Sequence, residues 1–564
     1  MTTMSTPQIH PARRNSRSRP LARFCLIVGL SSLSACDSFL TDDYLTVQTP
    51  IERLREIESI RLEDRSASEP VSVEDAAADM LQSVVDPVAP PESLDLTLAE
   101  VRAAALANNL ALKVELVSPS ISQSIVDEEE AKFEALFFGS AQHQVFDSPT
   151  AVGTEGTEST IDSFDLGVRI PLRTGGTVTI DLPFSRQATN NPFSLLDPAF
   201  STDLRFSISQ PLLRNAGPRV NTYSIRVAKY ETQIANARTK LESIRILANA
   251  DRVYWHLYAA RRELELRQQQ YELAVTQLEQ ARRKVNAGDA PQIEITRAQS
   301  GVASRLEAII IAHTIVRARV RDLKRIMKRE DLPINSRTDL VPTTQPHPVG
   351  LDLNRDELAD FGVANRMEML ELELQLAIDA STVDLRRNAR LPLVTLDYVY
   401  NISGLGSSFG RAFDQIPDHS FEDWSIGLSA EIPIGNEQAK ARVHQAVLRR
   451  LQRLATKEQR ELAIRQEIYD ALDQLQQNWQ RILAARQEVI LAGRTYDAER
   501  RQFDVGIRTS TDVLDAATNL ADAQSREIRA LADYQISQID IAFATGTLLG
   551  HDRVRWEPID TQDY

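Results

Sequence analysis

Asp512 and Asp515 stand three residues apart just after a Gly-containing turn, a spacing that puts both on one face of a helix. Two carboxylates so placed can attract cations. They also suit the first turn of any helix, where negative charge meets the positive end of the dipole. Bond-making chemistry is harder to find. The stretch Gly404-Leu405-Gly406-Ser407-Ser408-Phe409-Gly410 contains a Gly-x-Ser-x-Gly pattern centred on Ser408. A nucleophile elbow must turn a strand into a helix, whereas here a strand pattern leads through a loop to another strand, so a flexible hairpin loop is expected. The eight histidines are isolated, none paired at metal-ligand spacing, and there is no Gly-Lys-Ser/Thr phosphate loop. Both cysteines, Cys25 and Cys36, precede the rest of the chain, which therefore has no thiol nucleophile and no cysteine metal site. The expectation is a protein that is not an enzyme and carries no cofactor or metal.

The chain has 564 residues, 42% hydrophobic and 25% charged, which excludes both disorder and a multi-span helical membrane protein. No apolar run approaches the ~18 residues of a spanning helix. A net charge of −15 argues against nucleic-acid binding. At the start, Arg13, Arg14, Arg17, Arg19 and Arg23 precede the apolar run Phe24–Leu30, and small residues follow, as in an export signal that is removed. The cleavage zone Leu33-Ser34-Ala35-Cys36 resembles the bacterial lipoprotein lipobox. That resemblance implies acylation of Cys36 by palmitate-like chains and anchoring to lipid; an ordinary signal peptide with a chance cysteine is the alternative. Asp37 follows, a residue that in enterobacterial lipoproteins signals inner-membrane retention.

Positioning elements repeat. Ala107-Asn108-Asn109 recurs as Ala364-Asn365-Arg366, Ser209–Asn215 as Ala430–Asn436, and Val285–Gly288 as Phe503–Gly506. Each half reads as short helices, strands, a long helix, a Gly turn (Gly288, Gly506) and a further helix. Leu257, Leu264, Tyr271, Ala274, Leu278, Ala281 and Val285 follow heptad spacing, as do Ile468, Leu472, Leu475, Trp479 and Ile482. No proline interrupts 220–285 or 437–503, so each helix can reach ~100 Å. Strict alternation marks strands at 424–432, 394–402 and 204–208. From Ala107 to Pro211 is 104 positions and from Ala364 to Pro433 is 69, so the first half holds 35 more; a hairpin about Gly175-Gly176, near 161–184, accounts for them. Strands with one apolar and one polar face suit a barrel in lipid. One chain supplies too few to close a wide pore, so closure needs several copies.

These features, with the stretch Phe503-Asp504-Val505-Gly506-Ile507-Arg508-Thr509-Ser510-Thr511-Asp512-Val513-Leu514-Asp515-Ala516, resemble the TolC-type outer-membrane efflux proteins. The resemblance implies a mainly α fold with membrane β structure: duplicated long helical hairpins forming a periplasmic tunnel, and four strands per copy in a shared twelve-stranded barrel of a homotrimer. It implies partners too, a periplasmic adaptor and an inner-membrane pump, with outer-membrane lipid around the barrel and no nucleic acid. It makes Asp512 and Asp515 carboxylate rings at the periplasmic entrance, with Glu294 in the equivalent place after the first turn. Crowding of like charges in such a bore would raise their pKa values. It assigns Arg508 and Phe503 to contacts that hold the entrance closed, Phe503 where the family often has tyrosine. The passive duct would take its cargo from the pump, so drugs, metals, glycolipids and polypeptides all remain open.

The organisation expected is a signal peptide (1–35), an acylated linker (36–95), a first repeat (96–330), an inter-repeat linker (331–355), a second repeat (356–550) and a tail (551–564). The competing reading is a lipid-anchored periplasmic coiled-coil scaffold without a pore.

Overall fold

The computed structural model describes residues 92–149, 156–505 and 507–557, with scattered residues between 66 and 76. The export signal, Cys36 and Gly506 lie outside the described residues. The chain divides into the units Met1–Pro90 and Pro91–Tyr564, and every element from Ser93 onward belongs to the second.

That unit begins with β1 (Ser93–Leu96) and two helices, α1 (Leu98–Asn108) and α2 (Leu110–Ala131). Four strands follow: β2 (Leu136–Asp147), β3 (Glu158–Pro171), β4 (Thr177–Thr189) and β5 (Ala199–Pro211). One turn of helix, α3 (Pro218–Asn221), leads into α4 (Tyr223–Asn286), which folds back as α5 (Ile293–Met327). After β6 (Asp339–Pro342) a similar order returns: α6 (Arg355–Asn365), α7 (Met367–Asn388), β7 (Leu393–Gly406), the short α8 (Phe409–Phe413) and β8 (Glu422–Glu431). The long α9 (Glu437–Asp504), α10 (Ser510–Ala544) and α11 (Leu548–His551) complete it. The lengths match between halves: 11 then 22 residues for the paired short helices, 64 against 68 for the long ones, and 35 for both returning helices. At 1.5 Å per residue, α4 and α9 run about 96 and 102 Å.

The repeated Asn-containing triplets break each helix pair at one point. Asn109 and Arg366 both adopt extended backbone, and Asn109 caps α2 by accepting from the Ala111 and Leu112 N–H groups. Around these breaks the core assembles: Leu247, Ala250, Tyr254 and Leu257 of α4 pack with Leu323 and Met327 of α5. Leu472, Leu475 and Ile482 of α9 meet Ala530 and Tyr534 of α10. Near the sheet the helices lie in the order α2–α4–α7–α9, and away from it α5–α4–α10–α9.

β2, β3, β4, β5, β7 and β8 form one antiparallel sheet in that order. Its register lines up Phe137, Val168, Ile180, Phe206, Tyr400 and Trp424 in a row on one face. The neighbouring row on the other face is Phe138, Gly167, Asp181, Arg205, Asn401 and Asp423. A further row on the apolar face holds Ile170, Val178, Ile208, Tyr398 and Ile426. Toward the helices one face is thus greasy and the other largely polar; further along, the greasy face gives way to the paired His143, Asp162 and Arg186. The Gly-Gly hairpin, β3 with β4, lies inside this sheet and β2 lies beyond it, so one chain carries six strands where the family resemblance implied four. The sheet is open, with β2 and β8 as its edges.

Other residues depart from the sequence reading. Residues assigned to the two linkers pair as parallel strands, β1 with β6, tied to the core where the Tyr254 hydroxyl donates to the Leu96 carbonyl at 3.2 Å. The Gly404–Gly410 stretch is no loose loop. It includes α8, whose Ala412 is fully buried against Gly404 and whose Phe409 ring lies 4.9 Å from Phe184. Within Arg321–Arg329, expected to be a solvated helix end, Lys324 is buried, its ammonium held by the Ser336 and Thr338 carbonyls and the Ser336 hydroxyl.

In the segment taken as a tail, Asp552 packs into the body. Arg102 of α1 spans Asp251 of α4 at 2.8 Å and Asp552 at 2.7 Å, with both carboxylates fully buried. Two acids share one cation. Burial, and then the Asp251 charge, push the Asp552 carboxyl up to about 7 against the pull of Arg102. The folded chain thus holds a proton that the unfolded chain, with a carboxyl near 3.8, releases. This stability is present on the acid side and lost as pH rises through about 7. Asp552→Asn should raise the melting temperature at pH 8 and raise it much less at pH 5. Melting both proteins by circular dichroism tests this, and equal shifts at the two pH values would contradict it. The comparison cancels His551, whose imidazole burial pulls the opposite way.

Candidate functional site

The sequence-selected residues cluster where the long hairpins turn, at the ends of α4 and α9 far from the sheet. In the first turn Gly288 takes a left-handed backbone, φ +81°, which glycine adopts without strain. The Gly288 and Asp289 N–H groups return to the Val285 and Lys284 carbonyls, closing the α4 end. In the second turn the Ile507 N–H donates to the Gln502 carbonyl at 2.9 Å. Thr509 then starts α10: its hydroxyl accepts from the Asp512 N–H while the Asp512 carboxylate accepts from the Thr509 N–H, a reciprocal capping box.

Asp512 therefore plays the helix-start role that its position allows. The Thr509 N–H, and then its hydroxyl, hold this carboxyl below the usual range in the single chain. The upward shift expected from crowding is a property of several copies around one bore. Asp515, one turn on, is exposed. Glu294, in the first turn of α5, pairs with Arg297 at 2.8 Å. Arg508 turns back on its own hairpin, its Nε 3.2 Å from both the Glu499 carboxylate and the Gln502 side-chain carbonyl. Phe503 reaches the other turn: the Lys284 ammonium sits 3.7 Å above its ring centre. A cation–π contact thus links the turns at the residue that lacks tyrosine's hydroxyl. Sequence reading missed Lys284. The signal was its place, four residues before Gly288, where Phe503 precedes Gly506 by three.

Behind the turns the hairpins are fastened to each other. The Arg305 guanidinium on α5 donates to the Thr518 hydroxyl on α10 at 3.1 Å, and Ser525 of α10 donates to Glu263 of α4. Arg529 approaches Glu263 at 3.8 Å. Between the hairpins lies a cleft of about 100 Å³, bordered by Leu273, Ala274, Ala281, Tyr496, Phe503 and Leu514. Among the described residues no cluster of acids, histidines or cysteines can hold a metal ion, and no helix is long and apolar enough to cross a membrane.

Residues 363–547, from α6 to the end of α10, match the family model for the outer membrane efflux protein. Over that stretch the chain is similar to the outer membrane efflux protein family. The chain is 24% identical over 317 residues to outer membrane protein TolC of Escherichia coli (strain K12), an alignment covering 54% of the chain and 62% of that relative. The chain thus spans less than two thirds of that relative's length. Its fold resembles the Campylobacter jejuni CmeC outer membrane channel with a TM-score of 0.59 at 16% identity, over 80% of this chain and 86% of that one. The Vibrio cholerae outer membrane protein VceC gives 0.57 at 14% identity, over 80% and 96%. These likenesses account for the hairpins and for the sheet on one end of them.

If the cation–π contact fastens the turns, Lys284→Met should loosen both while keeping the packing of the stem. Such contacts contribute about 0.5–1 kcal/mol when exposed, so amide exchange at 283–288 and 501–505 should accelerate roughly two- to fivefold. Unchanged exchange at both turns would remove Lys284 from the site.

Proposed function

We propose that the chain forms the outer-membrane channel of a tripartite efflux or type I secretion system: a passive homotrimeric duct carrying substrate from a periplasmic adaptor and inner-membrane pump to the exterior. One observation carries this reading. A sheet apolar on one face and polar on the other, with both edges unpaired, sits at one end of helices about 100 Å long. In lipid an unpaired edge strands backbone N–H and C=O groups at several kcal/mol each, so the sheet has to close on other copies. In this reading the greasy face meets acyl chains, the polar face lines water, and the helices cross the periplasm as a duplicated pair of hairpins. Acylated Cys36 adds a lipid anchor. The scaffold reading leaves the apolar rows in water, where exposed patches of this size promote association.

The hairpin turns then form the entrance. Three copies bring Asp512 and Asp515 around one bore, where their fields focus on cations and repel anions. Arg508, with Glu499, and Phe503, with Lys284, hold the turns in the closed arrangement, and Glu294 adds charge on the outer side.

Purified from outer membranes, the protein should run as a heat-sensitive trimer and conduct ions in planar bilayers. A salt-released monomer without conductance would establish the scaffold instead. Asp512→Asn with Asp515→Asn, which removes charge while retaining hydrogen-bonding groups, should weaken block of single-channel current by multivalent cations. Arg508→Ser should raise conductance by loosening the entrance; unchanged current in both variants would retire the gate assignment.

A further inference from the structure

Resting on the trimeric-channel reading, we infer that each copy contributes all six strands, with β2 of one copy pairing to β8 of the next. Six strands from each of three copies make an eighteen-stranded barrel. Barrel diameter grows roughly linearly with strand number, so this outlet is about half as wide again as one built from four strands per copy.

Three observations support β2 as a barrel strand. It pairs with β3 continuously from Leu136 to Asp147, with no bulge or break. Its apolar-face residues Phe137 and Val145 are 73% and 65% exposed in the single chain, which suits lipid. The row from Phe137 to Trp424 also crosses all six strands, so the greasy face runs from one edge to the other.

The helices define the same two edges. β2 follows α2 and β8 precedes α9, and α2 and α9 are the outer members of the helix order nearest the sheet. On α2 the side opposite buried Leu112, Pro119 and Val126 carries Leu110, Val114, Val117, Ile121 and Ile125, all exposed, and ends at Glu128 near the sheet. These positions step by three or four. On α9 the side opposite buried Ala446 and Ile464 carries Leu448, Leu451 and Leu462, again exposed, with His444 and Lys440 toward the sheet. Each stripe has a coiled-coil seam's spacing and no partner among the described residues. Glu128, with no ion pair among the described residues, and His444 and Lys440, the latter paired with Glu437, lie toward the sheet ends of the two stripes. A second copy of this chain, placed head to tail, covers both stripes while β2 meets β8. Because one copy's α2 and β2 edge meets the other's β8 and α9 edge, the contact is heterologous and closes as a ring.

The test is disulfide cross-linking in outer membranes, using cysteines on the polar face: Gln142→Cys or Gln144→Cys in β2, each with Ser425→Cys or Ser429→Cys in β8. At least one pair should give a covalent trimer on mild oxidation, whereas Thr179→Cys in β4 with the same β8 positions should give none. Trimers linked through Thr179→Cys, and not through β2, would mean four strands per copy; they would overturn this inference and leave the channel reading intact. A link confined to one copy would overturn it as well. A protein that neither trimerises nor conducts would remove both. Amide exchange of the unmutated protein in lipid gives an independent check: residues 136–147 should be protected at least a hundredfold, and rapid exchange there would overturn the six-strand barrel.

Discussion

The constraint on which the structure depends is hydrogen bonding at the sheet edges. In water β2 and β8 can leave backbone groups to solvent; in hydrocarbon they cannot, since each orphaned group costs several kcal/mol. In the proposed channel the apolar row from Phe137 to Trp424, which crosses all six strands, faces hydrocarbon. Together these facts make one chain an incomplete object. In the proposed channel its completion comes from copies of itself, because a strand edge accepts any backbone and only a closed ring leaves none over.

The helices carry that edge logic away from the membrane. Every strand that joins a long or paired helix does so in matching order, α2 with β2, β5 with α4, α7 with β7 and β8 with α9. Closure of the sheet and closure of the helical layer are therefore one event. Buried charge holds the layers in register at the breaks: Arg366 binds Glu368, Glu467 and the Ala544 carbonyl, tying α7, α9 and α10, while Arg102 ties α1, α4 and the segment after α11. Such buried cations are expensive to leave unpaired, so they specify one arrangement more than they add stability. Among the described residues the turns at the far ends are held by local caps, a cation–π contact and short ion pairs. Fastening of this kind suits the proposed entrance, which has to open.

Much of this was legible in the sequence because it is local and periodic. The long helices were expected over 220–285 and 437–503, and run over Tyr223–Asn286 and Glu437–Asp504. Leu472, Leu475 and Ile482 lie buried where their heptad spacing put them. β2 escaped notice because Leu136, Phe137, Phe138, Val145 and Phe146 put apolar groups on both faces and blur a period of two. The count of four strands came from the family resemblance. Lys324 read as solvated because its acceptors, on Ser336 and Thr338, belong to a different segment. The Asp552 cluster and the Lys284–Phe503 contact were invisible for the same reason: each joins residues brought near only by folding. At the entrance, types and turns were readable, and partners were not.

The most direct measurement is an electron cryomicroscopy reconstruction of the purified protein in a lipid nanodisc. The account predicts a ring of copies whose sheets seal into one membrane barrel, continuous with a helical tunnel. A single subunit whose apolar sheet face lies covered by its own helices would contradict it.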